Sequence, residues 1–302
     1  MAVVLATSGC LESKMVYTVN PDGSGKFTFD SLMAVPAPHM LGPNKVNPDP
    51  NALAKGQLEQ AIRSSKGVEA WSDLSYEVAK DGRAHVQGVG YFPDVTKTSG
   101  PGGDNTIKWS KTDKGMTLEI VMKNQKKQAA TKPEELTDEQ AAKIAKQAQA
   151  QWPQTRMMMV AFLSNAKVDE TYMLPGKLGD VEGFDKTDKG GVQLVIEGKK
   201  ILEVMDKVMA DDKMVAASIK AGRDPMDGPD DATMIGLLFG KGVKAFKADV
   251  TGDLKPQFDY KAEMEKAKAG QDEMIKKLGL DLTANPSPRL PVNPNNNPPP
   301  GP

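Results

Sequence analysis

The amino-acid sequence predicts an α+β fold: a mainly antiparallel sheet built from hairpins, packed helices, and a disordered Pro/Asn-rich C-terminal tail. Three observations carry this. Apolar residues alternate with period two on both sides of turn-rich clusters at three places between residues 15 and 120. Later blocks carry apolar residues at helical spacing. Hairpins outnumber strand–helix–strand alternation, which argues for antiparallel pairing over a doubly wound parallel sheet.

The first hairpin sets Met15, Tyr17 and Val19 on one strand and Phe27 and Phe29 on the other, around Pro21-Asp22-Gly23-Ser24-Gly25. Pairing Val19 with Phe27 places Tyr17 opposite Phe29 and makes one face apolar. After a Pro-rich loop from Pro36 to Pro50, residues 52–65 read as a helix with the stripe Leu53, Leu58, Ala61 and Ile62, stopped by Gly67. A second hairpin turns at Lys80-Asp81-Gly82. A two-residue turn would oppose Val78 to His85. A three-residue loop instead opposes Val78 to Ala84 and Tyr76 to Val86, keeps one face apolar and gives Gly82 the left-handed position, and is preferred. A third hairpin turns at Thr112-Asp113-Lys114-Gly115 and pairs Trp109 with Leu118 and Ile107 with Ile120.

Thr137-Asp138-Glu139-Gln140 is a capping box, in which the Thr hydroxyl and the Gln side chain satisfy first-turn amides reciprocally. The helix it opens should reach about Ser164, kinked or broken near Pro153. Strands are expected over 168–174 and 192–196, around the turn cluster Lys186 to Gly191. Helices follow over 200–210, 212–221 and 231–239, then a strand over 243–250 and a last helix from Tyr260 to Lys277, capped by Asp259 and ended by Gly279. The expected organisation is a residual signal segment (1–10), a hairpin-rich α+β domain (11–200), a helical extension with one strand on the same core (201–283), and a tail (284–302) with little to bury.

Net charge is −1 and aromatics are 5% of 302 residues, which argues against a nucleic-acid surface of clustered cations and stacking rings. No stretch after Cys10 is apolar for the ~18 residues a spanning helix needs. Cys10 is the single cysteine, so no intrachain disulfide is possible. It closes Ala6-Thr7-Ser8-Gly9-Cys10 after the apolar start Met1-Ala2-Val3-Val4-Leu5. That pattern resembles the lipobox of bacterial lipoproteins, in which the cysteine thiol receives a diacylglyceryl group and becomes the new N-terminus. Thr7 stands where such boxes usually carry Leu, and the basic start and about 7–15 apolar residues of a full signal peptide are missing. A translation start further upstream would account for that. A chain without lipid is the alternative.

Other constellations favour structural roles. Asn20 to Gly25 imitates the start of an EF-hand loop, but position twelve is Ser31 and the flanks alternate like strands. His39 and His85 are the only histidines and do not stand at metal spacing; His85 should face solvent, opposite in phase to Ala84 and Val86. Gly236-Leu-Leu-Phe-Gly240-Lys241-Gly242 and Gly88-Val89-Gly90 miss the phosphate-loop patterns. The acidic pairs Glu134-Glu135, Asp138-Glu139, Asp211-Asp212 and Asp230-Asp231 sit where helices begin and read as caps. Met157-Met158-Met159 fan out around a helix and, like Met205 and Met209, read as core rather than as a copper site. Trp71, Tyr91 and Phe92 read as core first, and are where a partner surface would lie if they were exposed.

Cys10 followed by Val16-Tyr17-Thr18-Val19-Asn20-Pro21-Asp22-Gly23-Ser24-Gly25 resembles the opening of small bacterial envelope lipoproteins with an LppM-like domain, and Tyr172-Met173-Leu174-Pro175-Gly176 is similar to the later Pro-Gly strand of that family. Tyr91-Phe92-Pro93-Asp94 with Phe258-Asp259-Tyr260 resembles uncharacterised planctomycete-type exported proteins. The likeness spans about residues 10–200. It implies a cell-envelope location facing periplasm or exterior and a non-enzymatic or unassigned role, and no catalytic residue carries over. The expected protein is a lipid-anchored binding or structural module, held to membrane by Cys10, with an envelope protein as a further partner and no nucleic acid, cofactor or metal. An envelope hydrolase built from scattered Asp, Glu and Ser is the alternative.

Overall fold

The computed structural model describes residues 11–34, 49–103, 105–121, 136–223, 231–240, 243 and 245–283. The chain enters on β1 (Leu11–Val19), turns back as β2 (Gly25–Met33), and passes through α1 (Pro50–Ser64) into the hairpin β3 (Ala70–Val78) and β4 (Ala84–Phe92). A short 3-10 turn, Val95–Lys97, leads to the hairpin β5 (Thr106–Thr112) and β6 (Gly115–Val121). Then come α2 (Asp138–Leu163), β7 (Lys167–Met173), β8 (Lys177–Glu182), β9 (Asp185–Lys186), β10 (Gly191–Glu197), α3 (Gly198–Met209), α4 (Asp212–Lys220), α5 (Asp231–Phe239), β11 (Phe246–Thr251) and α6 (Tyr260–Leu278).

Eleven described strands form two sheets, ordered β3-β4-β2-β1-β7-β10-β9 and β5-β6-β11-β8. The α+β class holds, and pairing is antiparallel except between β1 and β7, which run parallel from Glu12↔Lys167 to Thr18↔Met173. That pair needs a crossover, and the chain supplies it through α1, two hairpins and α2. One face of the large sheet is apolar: Tyr17, Phe27, Trp71, Val86, Tyr172 and Val192 join one core with Leu58 of α1 and with Leu118, Phe246 and Val250 of the small sheet. Phe27, Phe92 and Tyr172 are almost wholly buried. Each such side chain removed from water stabilises the fold by roughly 1.5–3 kcal/mol.

The second and third hairpins pair as their patterns predict: Val78↔Ala84 and Tyr76↔Val86, Trp109↔Leu118 and Ile107↔Ile120. The first does not. Its partners are Val19↔Gly25, Tyr17↔Phe27 and Met15↔Phe29, two residues from the expected register. The turn is tighter, closed by Asn20 N–H donating to the Ser24 carbonyl (2.8 Å) and Gly23 N–H to the Asn20 carbonyl (3.0 Å). A shift of two leaves every side chain on its face, so the apolar pattern alone could not exclude it.

Gly88 and Gly90 owe their places to this register. Phe29 lies across from Gly88 and Phe27 from Gly90, and a Cβ would meet those rings at 2.7 and 2.6 Å respectively. Both glycines make room for aromatic rings on the core face, which accounts for the Gly-x-Gly pattern without a phosphate.

The capping box at Thr137 and Gln140 is present, yet α2 runs unbroken through Pro153, against the expected kink or break. Flanking Trp152 is buried in a satellite core with Ala141, Ala145, Met205 and Val215, and this packing holds the helix across the lost hydrogen bond. α1 begins two residues before the expected start because Asp49 caps it and Pro50 occupies the first turn. β8 and β9 escaped the sequence reading, and β11 starts later than expected. Pro175-Gly176 sits in the turn after β7 rather than within a strand. The Pro/Asn-rich tail and most of the Pro36–Pro50 loop lie outside the described residues.

Candidate functional site

Cys10, the proposed lipid attachment point, lies outside the described residues; β1 begins at the next residue, Leu11. At that end of the sheet Leu11 pairs with Met33 on one side, and Glu12 pairs with Lys167 on the other.

Two polar constellations stand on the sheet. The first is buried where the parallel strands meet. Val168, Glu170, Tyr172 and Leu174 share the core phase of β7, so the strand's alternation turns an acid inward. Tyr172 donates to Glu170 Oε2 at 3.0 Å. The Tyr17 ring stacks on Tyr172 at 5.0 Å and 7°. The Tyr17 hydroxyl accepts from Gly100 N–H at 3.1 Å. Burial pushes the Glu170 carboxyl above the usual carboxylate range, only partly offset by the Tyr172 hydrogen bond. Burial, followed by the Glu170 charge, raises both phenols. A carboxyl shifted toward its neutral form and two phenols held more firmly protonated make a packed hydrogen-bonded knot. Period-two alternation places Glu170 in phase with Tyr172, and that phase is the sequence signal for its inward aim.

The second constellation lies on the open face. His85 points away from the core, as its phase requires, and lies between two acids: Nε2 is 2.9 Å from Asp30 Oδ1 and Nδ1 is 3.1 Å from Glu77 Oε1. Burial alone would lower its pKa, but the hydrogen bonds and charges of Glu77 and Asp30 outweigh it and hold the imidazole above its ordinary value. Arg83 bridges Glu12 (2.6 Å) and Asp81 (2.8 Å) on the same face. Cross-strand register brings these groups together, and spacing along the chain does not disclose it.

The remaining candidates resolve into structure. Asp22 Oδ1 accepts from the Ser24 amide (3.0 Å) and hydroxyl (2.7 Å), so the EF-hand-like stretch is a side-chain-braced turn. Asp211 caps α4 by accepting from Lys213 and Met214 amides, and Asp138 and Glu139 occupy the first turn of α2. Glu134, Glu135, Asp230 and His39 lie outside the described residues. Trp71, Tyr91 and Phe92 are core residues, which removes them as a contact surface: Trp71 joins Phe27 and Phe29 edge-on, and Tyr91 is packed beneath α6. Met205 and Met209 are core, but Met157 and Met158 are exposed, against the expectation that the methionine run packs inward.

Among the described residues no group of three or more His, Cys, Asp or Glu side chains could hold a metal ion. A shallow recess of about 330 Å³ between β3 and α6 is lined by Leu74, Gly270, Met274 and Leu278, with Glu273 and Lys277 beside them. Those two charges are an i, i+4 pair on one helix and do not converge from separate elements, as a reactive site requires.

No protein-family model, curated protein or solved structure matches this chain.

Proposed function

We propose that the chain is a lipid-anchored cell-envelope protein, with a diacylglyceryl group on Cys10 holding an α+β binding or structural module at a membrane surface facing periplasm or exterior. The observation that carries this reading is the run Ala6-Thr7-Ser8-Gly9-Cys10 behind an apolar start, with small residues before the chain's single thiol. Two acyl chains on one thiol are enough for stable attachment, whereas a single chain gives only reversible binding. Among the described residues no helix is long and apolar enough to cross a membrane. The fold is compatible with a short tether, because β1 starts one residue after the thiol. The module is read as one that binds or braces, with an envelope protein as its further partner.

Replacing the thiol tests the reading. Wild-type protein expressed in its native host should fractionate with membranes, and Cys10→Ser should move to the soluble fraction. Equal membrane recovery of the two would overturn the anchor.

A further inference from the structure

The solvent face of α2 changes character along its length. Before Pro153 it carries exposed Lys143, Lys146, Gln147 and Gln151, with Ile144 (38% exposed) as a lone large apolar side chain among them. After Pro153 come exposed Gln154 and Arg156, the latter paired with Asp206, and then Met157 (70% exposed), Met158 (55%) and Phe162 (37%), with exposed Ala161 between the rows. Met158 and Phe162 stand one turn apart, as do Met157 and Ala161, so the apolar residues form one contiguous patch on the last two turns. The opposite side of the helix is already committed to packing through Trp152 and Leu163. Fold stability therefore leaves the patch unused.

The position of this patch is informative. α2 ends at Leu163, and β7 starts four residues later at Lys167, paired with Glu12 of β1. Gly198 N–H donates to the Ala166 carbonyl at 2.7 Å, which brings the start of α3, with exposed Lys199 and Lys200, to the same corner. Lys167 is exposed there too. Acids stand near this corner too: Glu197, in register with Lys167; Glu12, held by Arg83; and exposed Glu203, one turn on from Lys199 in α3. Apolar patch, lysines and the entry of the chain at Leu11 thus share one end of the molecule.

We propose that the last two turns of α2 (Met157, Met158, Phe162), flanked by Lys167, Lys199 and Lys200, form the face that the protein lays on an anionic bilayer. This rests on the acylation of Cys10 proposed above and adds an orientation to it. With β1 starting one residue after the thiol, the lipid leaves this end of the body little freedom to leave the surface, and the lysines stand within about a Debye length, ~8–10 Å, of the headgroups. Flexible thioethers and an aromatic ring at the headgroup boundary, with lysines around them, are what an interfacial helix presents. A second copy fits less well. A two-fold contact would set this lysine cluster against its own image, and a few side chains on two turns fall short of the ~800 Å² per partner of a stable interface.

The test uses the full-length acylated protein on phosphatidylethanolamine vesicles containing phosphatidylglycerol. Spin labels are placed by Met158→Cys and, at the far end of the sheet, by Lys189→Cys. Vesicle attachment should lower the collision rate of the label at position 158 with a water-soluble nickel reagent at least threefold and leave position 189 unchanged. Equal accessibility at the two positions on vesicle-bound, acylated protein would overturn the face while leaving the anchor intact. Concentration-dependent protection of position 158 without vesicles would assign the patch to a second copy and also overturn it. Intact mass reports the anchor separately. Should the mass show no lipid, flotation of the unmodified chain with anionic vesicles, weakened at least fivefold by Met158→Glu with Phe162→Glu, would still support the face, and absence of flotation would overturn it.

Discussion

The Tyr17 and Tyr172 rings stack nearly parallel, 5.0 Å apart, across the one parallel strand pair among the described strands. Each belongs to a strand that also has an antiparallel partner, so the stack is where the N-terminal hairpin and the antiparallel β7–β10 pair join into one sheet. Gln257 closes the same junction from the end: its side-chain amide donates to the Val19 and Met173 carbonyls, both at 2.9 Å.

Tyr172→Ala should therefore destabilise the protein by about 3–5 kcal/mol, the cost of a large aromatic deletion in a packed core. Tyr172→Phe keeps the stack and removes the hydroxyl bonded to Glu170, and should cost about 1–3 kcal/mol at neutral pH. Urea titrations of the two variants check both values. Equal losses would show that the ring contributes no more than the hydroxyl.

Glu170 supplies a pH-dependent term of defined sign. Its folded pKa is raised, chiefly by burial, so its contribution is fully present below the unfolded carboxylate value of about 4.3 and is lost as pH rises through the folded value. Glu170→Gln keeps an acceptor for Tyr172 without a charge. It should be more stable than wild type at pH 8 by on the order of 1 kcal/mol, with the difference vanishing near pH 4. Thermal melts across that range decide the matter, and a destabilised variant at pH 8 would contradict the assignment.

His85 should act on the open face with the same sign. Only the protonated ring donates to Asp30 and Glu77 together. Its contribution is complete below about pH 6.5 and declines as pH rises through the elevated folded value. Because both acids are more than half exposed, the total should stay under about 1 kcal/mol. Melting temperatures of wild type and His85→Gln between pH 5.5 and 8.5 should converge as pH rises; a constant gap would refute the pairing.

The β3 edge of the large sheet is guarded by α6. Its first half packs Met264 and Ala267 near Tyr91 on the outer side, its second half brings Met274 and Leu278 to the main core, and between them Gln271 Oε1 accepts from Trp71 N–H at 2.7 Å. The bulge between Ser72 and Ser75, where Asp73 has φ 53°, takes β3 out of regular pairing there. Gln271→Ala should cost about 1–2 kcal/mol and speed amide exchange at Trp71. Unchanged exchange would mean the edge is protected by packing alone.

Much of this was legible in the sequence because it is local. Period-two alternation located most strands and two of three hairpin registers, the Thr137 capping box marked the start of α2, and Asp259 and Gly279 bracketed α6. What escaped depends on contacts distant in sequence. The parallel pairing of β1 with β7 joins residues separated by about half of the chain, and nothing in either strand names the other. β8 is short and half-exposed, and belongs to a sheet only because β11 pairs with it. The candidate site divides the same way. Cys10 was legible as a motif, whereas the partners of His85 and the exposed end of α2 emerge only once strands and helices are placed.

The central claim, lipid on Cys10, is tested most directly by the intact mass of the protein isolated from its native host. The account predicts a chain that starts at Cys10 and carries the added mass of a diacylglyceryl group. A chain retaining residues before Cys10, with an unmodified thiol, would contradict it.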